Sequence, residues 1–384
     1  MKEIDCIGFD MDWTLAQYNK EFDLLAYNGA KQKLVSELGY PSQVLNLQYD
    51  PDMIRRGCVV DKYRGNVLKL DKHKYVTAAE HGLTPLTSEE RKALYLHGAK
   101  ELQTFSGPGF INMDTPFSLV DGCLFVQLVD LRDRLGKDFL SLSLSYGQIW
   151  DDMRKCIDRC HKDGVIKITV AKNPSKYITY DPNIFPMLSE FRAAKKKTFL
   201  LTNSLWDYTH VVMNYLEGQR EREGKTLHWM DYFDVIVVAG NKPAFLVDER
   251  SLPLFRVDPL SLSGHLSNIE SSLPSSSNEM RAFLSKGKTF QGGNARQLHT
   301  LLGLTSGDRL LYIGDHMYAD ILRSKRTLGW RTCLVVPELN PEISKHVKIR
   351  KELREMGILL RKQTVLESHM GVRERERVRE KERE

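Results

Sequence analysis

A chain of 384 residues, 41% hydrophobic and 28% charged with a mean hydropathy of −0.38, has the composition of a soluble globular protein with room for a main domain and a second one. Its net charge of +6 is spread over 56 basic and 50 acidic residues with no concentrated basic stripe, which argues against a nucleic-acid binder. The opening MKEIDCIGFD lacks a basic-then-apolar signal, no apolar run reaches membrane-spanning length, and no cysteines stand as Cys-x-x-Cys, so a reducing, cytoplasmic setting with no membrane partner is expected.

The first element is Ile4–Tyr18, IDCIGFDMDWTLAQY. Ile4, Cys6, Ile7, Gly8 and Phe9 form the short apolar run of a buried strand, and Asp10, Asp12 and Thr14 follow at its end. The carboxyl edge of a parallel sheet is where open α/β folds bind ligands. Two acids crowded there repel each other unless a cation or a proton lies between them. That crowding suggests one ionised nucleophile or metal ligand and one carboxyl for proton transfer. Asp-x-Asp alone is more often a surface turn or a helix N-cap; the apolar run before it and the pieces downstream favour chemistry.

From Asn19 to about Ser189 no core-like strand recurs. Glu21–Leu38, Ser88–Leu102, Phe117–Arg134 and Gln148–Lys162 carry helical apolar spacing, and Tyr63–Ala79 reads as a hairpin. So long an interval between two strands of one sheet is too much for a loop, and 19–189 is read as an inserted, mainly helical cap. After a helix over Ile184–Lys195, short apolar strands follow at Thr198–Leu201, Val235–Val238, Leu310–Ile313 and Thr332–Val336. Helical segments separate them, the alternation of an α/β fold with a doubly wound parallel sheet, its core made of 1–18 and 190–345. Pro259–Asn278, rich in serine, is expected to be a flexible surface insertion. The tail 346–384 is read as helical and charged. Its end, Val372–Glu384, lacks an apolar stripe and is expected to be frayed or disordered.

Each later strand ends in a residue type that the first motif needs. Thr202-Asn203-Ser204 offers a hydroxyl and backbone N–H groups for phosphate oxygens at a helix start, although the triplet alone is a routine cap. Gly240-Asn241-Lys242-Pro243 puts Lys242 where it would offset charge building up on phosphorus; an isolated lysine is usually solvated. Gly314-Asp315 with Asp320 five residues on suits Mg²⁺, a hard cation that takes oxygen ligands and keeps several waters. His316 reads as a packing or capping residue, since Asp12 already fills the acid–base role.

Four strand ends in order thus carry DxDxT, TNS, NKP and GDxxxxD. With FDMDWTL, LLTNS, YIGDHMYADILRSK and GWRTCLVVPEL, the chain resembles the haloacid dehalogenase superfamily of phosphohydrolases from about Ile4 to Leu339. Within it the likeness is to the cytosolic purine 5′-nucleotidase branch and the group of 5′-nucleotidase domain-containing proteins. The resemblance implies Asp10 as a nucleophile that forms an aspartyl-phosphate. It implies Asp12 as the acid that protonates the leaving ribose oxygen and then activates water. Mg²⁺ would be held by Asp10, the carbonyl of Asp12 and Asp315, with Asp320 in support, and the phosphate by Thr202, Asn203 and Lys242.

Within Gln148–Lys162, Arg154, Asp158 and His161 fall on one helix face. Spacing alone describes an exposed Arg–Asp pair worth roughly a few tenths of a kcal/mol. The resemblance implies instead that these residues contact a purine base, with Phe117 stacking on it. Lys162 stands where that branch carries an aromatic residue. The whole then reads as a Mg²⁺-dependent phosphomonoesterase for nucleoside 5′-monophosphates, purines preferred. Two alternatives stay open: a phosphatase or phosphotransferase for another small phosphometabolite, and a nucleotide-binding or scaffold protein with little turnover. Relatives in this branch assemble as homodimers or tetramers, which makes a homo-oligomer a candidate state.

Overall fold

In a computed structural model, which describes residues 3–96, 105–139, 144–218, 228–247, 252–261, 263–269 and 273–381, the apolar run before Asp10 is the strand Cys6–Phe9, buried throughout. Leu310–Gly314 and Lys197–Leu201 flank it in parallel within an eight-stranded sheet. Val235–Val238 and Thr289–Gln291 continue the parallel part on one side, and Arg331–Leu334 closes the other. Strands covered on both faces read as unbroken apolar runs, which is why the sequence exposes them. Gly8 is required by packing: a Cβ there would lie 2.0 Å from the Phe199 ring.

Beyond Thr289–Gln291 the sheet continues antiparallel through Phe255–Val257 and Leu266–Asn268. The serine-rich 259–278 is therefore more than a flexible insertion. Its Leu266–Asn268 is an edge strand, Trp206 Nε1 donates to the Ser261 carbonyl at 3.3 Å, and Ser277 begins the helix Ser277–Ser285. An exposed edge strand is held by main-chain hydrogen bonds and needs no apolar side chains, so composition concealed it.

Gln17–Tyr18 pairs antiparallel with Ile178–Thr179 where the chain leaves the sheet and returns. Between these crossings the helices Lys20–Leu38, Pro116–Leu135 and Tyr146–Lys162 pack together. Beside them lies a five-stranded antiparallel sheet, in spatial order Thr84–Pro85, Val76–His81, Asn66–Leu70, Val59–Asp61 and Phe110–Asn112. The expected hairpin is Asn66–Leu70 against Val76–His81, with Leu70 opposite Val76. Its three companions are two or three residues long, too short for alternation to reveal. The helix expected over Ser88–Leu102 runs Ser88–Tyr95, and 97–104 lie outside the described residues. Tyr146–Lys162 opens on a Ser145/Gln148 capping box, a feature worth about 1 kcal/mol, and buries Ile149, Met153, Ile157 and Cys160 as its periodicity predicts.

Contacts divide the chain into Met1–Val335 and Val336–Glu384. The second unit holds the helices Leu339–Lys348 and Arg350–Lys381, so the charged end expected to fray continues a helix as far as Lys381. Among the described residues no helix is long and apolar enough to cross a membrane.

Candidate active site

The strand order sets the ends of Val235–Val238, Lys197–Leu201, Cys6–Phe9 and Leu310–Gly314 side by side, and the residues just past them meet. Lys242 Nζ lies 3.0 Å from Asp10 Oδ1 and 2.8 Å from Asp320 Oδ1, and donates to the Tyr312 hydroxyl at 2.9 Å. Asp10, Asp315 and Asp320 bring carboxylate oxygens within 4.8 Å of one another, all of them buried. The Met11 N–H also donates to Asp10 Oδ1, at 2.8 Å. Asp320 folds back over Gly314, where a Cβ would fall 2.5 Å from its Oδ2, and that oxygen accepts from the His316 N–H at 3.2 Å. The glycine of Gly-Asp is thus the space that Asp320 occupies.

With all three buried carboxylates ionised around the one ammonium, the cluster would carry a net charge of −2. Burial pushes the Asp10 carboxyl well above the ordinary range, the Lys242 ammonium pulls it back, and Asp320, Asp315 and Asp12 push it up again. Burial also raises Asp315, to about 7, with Asp320 adding to the rise and Thr115, Lys242 and Arg56 opposing it. Burial alone would lower Lys242, but Asp10 and Asp320 outweigh it and hold the side chain as an ammonium. A donor set made only of oxygen and short of two positive charges fits a hard divalent cation such as Mg²⁺, which Asp10, Asp315 and Asp320 would hold.

Asp12 belongs to a separate set. The Tyr18 hydroxyl donates to its Oδ1 at 2.5 Å, the Ser204 hydroxyl to its Oδ2 at 2.8 Å, and the Tyr208 hydroxyl lies 3.0 Å from that of Tyr18. Asp12 faces a cavity of about 350 Å³ whose walls include Asn203 and Ser204 from the core and Phe117, Arg154 and His161 from the cap.

Several expected phosphate ligands spend their side chains on neighbouring main chain. Asn203 accepts from the Lys242 N–H at 2.6 Å and donates to the Lys242 carbonyl at 3.0 Å, clamping that residue. Thr202 is buried outside the cavity wall, and its hydroxyl accepts from the Ser204 N–H at 3.0 Å. Ser204, not Thr202, reaches the cavity from this turn. Trp13, Ala239 and Asn241 hold φ values of 55°, 47° and 56°, a left-handed conformation that costs about 1 kcal/mol or more in a non-glycine residue and gathers at functional sites. His316 acts as a cap: its Nδ1 accepts from the Ala319 N–H at 3.4 Å and lies 3.5 Å from the Asp114 carboxylate.

In the cap, Arg154 forks between Asp121 and Asp158. Asp158 braces Arg154 from outside the cavity wall, whereas Asp121 is buried and lines the wall. The Phe117 ring stands edge-on to Trp13 at 6.1 Å and to His161 at 6.4 Å. Burial, and then the Arg154 charge, lower the His161 pKa and keep the imidazole neutral. Burial raises Asp121 to about 6 against the pull of Arg154, and raises Asp23 to about 6 against the Tyr49 hydroxyl that donates to it at 2.9 Å. Tyr18, Ser204, Tyr208 and Asp121 escaped the reading of the sequence. Asp121 stands four residues beyond Phe117 on the same helix face, so its position was available to a helical-face argument.

The parallel sheet thus gathers buried acids and a lysine at its strand ends, and the chain between Gln17–Tyr18 and Ile178–Thr179 supplies the helices beside them. The chain belongs to the 5′ nucleotidase family, whose profile matches residues 1–384. It is 30% identical over 362 residues to a 5′-nucleotidase domain-containing protein of Dictyostelium discoideum, covering 93% of this chain and 57% of that one. It is also 30% identical over 357 residues to 5′-nucleotidase domain-containing protein 2 of Homo sapiens, covering 89% and 62%. The chain thus spans about three-fifths of the length of these relatives. Among solved structures, CbbY from Rhodobacter sphaeroides in complex with phosphate is 14% identical, covers 86% of this chain and 84% of its own, and has a TM-score of 0.29. A beta-phosphoglucomutase from hyper-thermophilic Pyrococcus is 10% identical, covers 85% and 84%, and has a TM-score of 0.32.

Proposed function

We propose that this protein is a Mg²⁺-dependent phosphomonoesterase that hydrolyses nucleoside 5′-monophosphates, purines preferred, through an aspartyl-phosphate on Asp10. One observation carries the reading: Asp12 and Asn203 share a single cavity with Phe117, Arg154 and His161. The carboxylate proposed to move the proton and the aromatic and cationic side chains suited to a base lie around one space of about 350 Å³, the scale of a small-ligand pocket. The names of the family and of its two relatives agree with a nucleotide substrate.

Met11 N–H and Lys242 both engage Asp10 Oδ1, so Oδ2 is the oxygen that would attack phosphorus. As the new O–P bond forms, the bond from phosphorus to the ribose oxygen breaks, and Asp12 gives that oxygen its proton. Asp12 then takes a proton from water, whose oxygen attacks phosphorus, releasing phosphate and restoring the Asp10 carboxylate. Tyr18 and Ser204 hold Asp12 in place for both transfers. Lys242, with its main chain clamped by Asn203, offsets charge on the phosphoryl oxygens. Mg²⁺, held by Asp10, Asp315, Asp320 and the Asp12 carbonyl, would supply the positive charge the cluster lacks. At the other end Phe117 would stack on the base, with Arg154 and His161 at its edge and Asp158 steadying Arg154. Six unpaired thiols suit a reducing, cytoplasmic setting.

Acid quenching during turnover, followed by mass spectrometry of the peptide bearing Asp10, tests the covalent route. A phosphate on Asp10 is expected; steady phosphate release with Asp10 never modified would overturn it.

A further inference from the structure

We propose that Thr115, a residue of the cap, is a positioning residue for Asp315, so that the cap completes the cation site of the core. This rests on the Mg²⁺ centre of the preceding reading. Thr115 is the N-cap of the helix Pro116–Leu135, with the extended backbone of that position (φ −136°, ψ 152°), yet its side chain makes no capping hydrogen bond. A threonine there ordinarily accepts from a first-turn N–H, a bond worth about 1 kcal/mol to the helix. The Thr115 hydroxyl instead donates to Asp315 Oδ2 at 3.0 Å. A local stabilisation is given up for a contact 200 residues away in the chain.

The rest of the cap edge braces the same loop. Arg56 Nη1 donates to the Asp315 carbonyl at 2.8 Å and to the Val335 carbonyl at 3.3 Å. The Met317 N–H donates to the Asp114 carbonyl at 3.4 Å, and the Asp114 carboxylate lies 3.5 Å from His316 Nδ1. Asp315 is thus gripped from the cap at its carboxylate and at its carbonyl, and its neighbours His316 and Met317 are tied to Asp114. A carboxylate that accepts from a fixed donor is oriented before a cation arrives, and removing such a partner commonly costs ten- to a hundredfold in metal affinity. The cluster of Asp10, Asp315 and Asp320 otherwise draws every side chain from the core, so Thr115 is the cap's contribution to it.

Titration calorimetry of the full chain with Mg²⁺ alone tests this, using the wild type, Asp315→Asn, Thr115→Val, Thr115→Ala and Thr115→Ser. Asp315→Asn should abolish binding. Thr115→Val and Thr115→Ala should each weaken it by about ten- to a hundredfold, and Thr115→Ser, which restores the hydroxyl, should return it to within roughly threefold of the wild type. A helix-capping role alone would lower the melting temperature measured without Mg²⁺ and leave Mg²⁺ affinity as it was. That result, with Asp315→Asn still unable to bind, would overturn the positioning role and leave the metal centre standing. Mg²⁺ binding absent from the wild type, or indifferent to Asp315→Asn, would overturn both.

Discussion

The acid cluster at the strand ends and the helix-borne wall of the cavity are held in place by different means. In the core, Asp10, Lys242, Asp315 and Asp320 are buried past the strand ends; Lys242 reaches Asp10 and Asp320 at about 3 Å, and the Asp315 carboxylate lies within 4.8 Å of both acids. In the cap, Arg154 and Asp158 lie on a helix surface with side chains 40% and 45% exposed, and only Asp121 behind them is buried. A strand end leaves a side chain little freedom, so charge there is fixed tightly, as the proposed attack on phosphorus needs. A helix face holds its residues by ion pairs that water weakens, which suits selecting among ligands better than reacting with them.

The largest effect expected is at the core. Asp10→Asn should cut phosphate release by at least about a thousandfold while circular dichroism stays unchanged, because an amide of the same shape cannot act as the nucleophile. Undiminished release by that variant would break the contrast at its root. Lys242→Met should come next: it leaves three carboxylates buried without their ammonium, a loss on the order of 3–5 kcal/mol by urea unfolding. Added Mg²⁺ should recover part of that loss by binding the native state.

A smaller effect concerns Asp23, an acid away from the cluster. Burial lifts Asp23 from an ordinary 3.8 to about 6, so the unfolded chain ionises first as pH rises. The stability linked to this group is therefore full below pH 3.8 and is lost as pH climbs through about 6. Asp23→Asn should raise stability at pH 7.5 by roughly 2 kcal/mol, with the gain fading as pH falls toward 4, as urea titrations across that range would record. A gain of equal size at every pH would mean that Asp23 is not buried as an acid. Smallest is Arg154→Ala, expected to weaken a purine monophosphate about tenfold while an aryl phosphate is nearly unaffected. Equal losses on both would remove Arg154 from base recognition.

The same contrast explains what was legible in the sequence. Cys6–Phe9 and Val235–Val238, buried at every residue, and the apolar stretches within Lys197–Leu201 and Leu310–Gly314 announce themselves because a strand covered on both faces demands apolar residues. The acids and the lysine then follow from their place after those runs. Thr289–Gln291 and Leu266–Asn268 were hidden because three residues paired through main chain leave no pattern. Sequence names a residue's type and its place on an element, not the partner its side chain chooses. Asn203 turns to the Lys242 main chain and Asp158 to Arg154, while Tyr18 and Tyr208, 190 residues apart, meet only in the fold. Thr115 is the plainest case, a helix cap by sequence whose hydroxyl serves another element.

The most direct test of the proposed reaction and its base preference is phosphate release from a panel of nucleoside monophosphates and sugar phosphates, with Mg²⁺ and with EDTA. Release confined to a few purine monophosphates and lost with EDTA is the predicted result. Release that ignores EDTA, or that is as fast from sugar phosphates as from nucleotides, would contradict it.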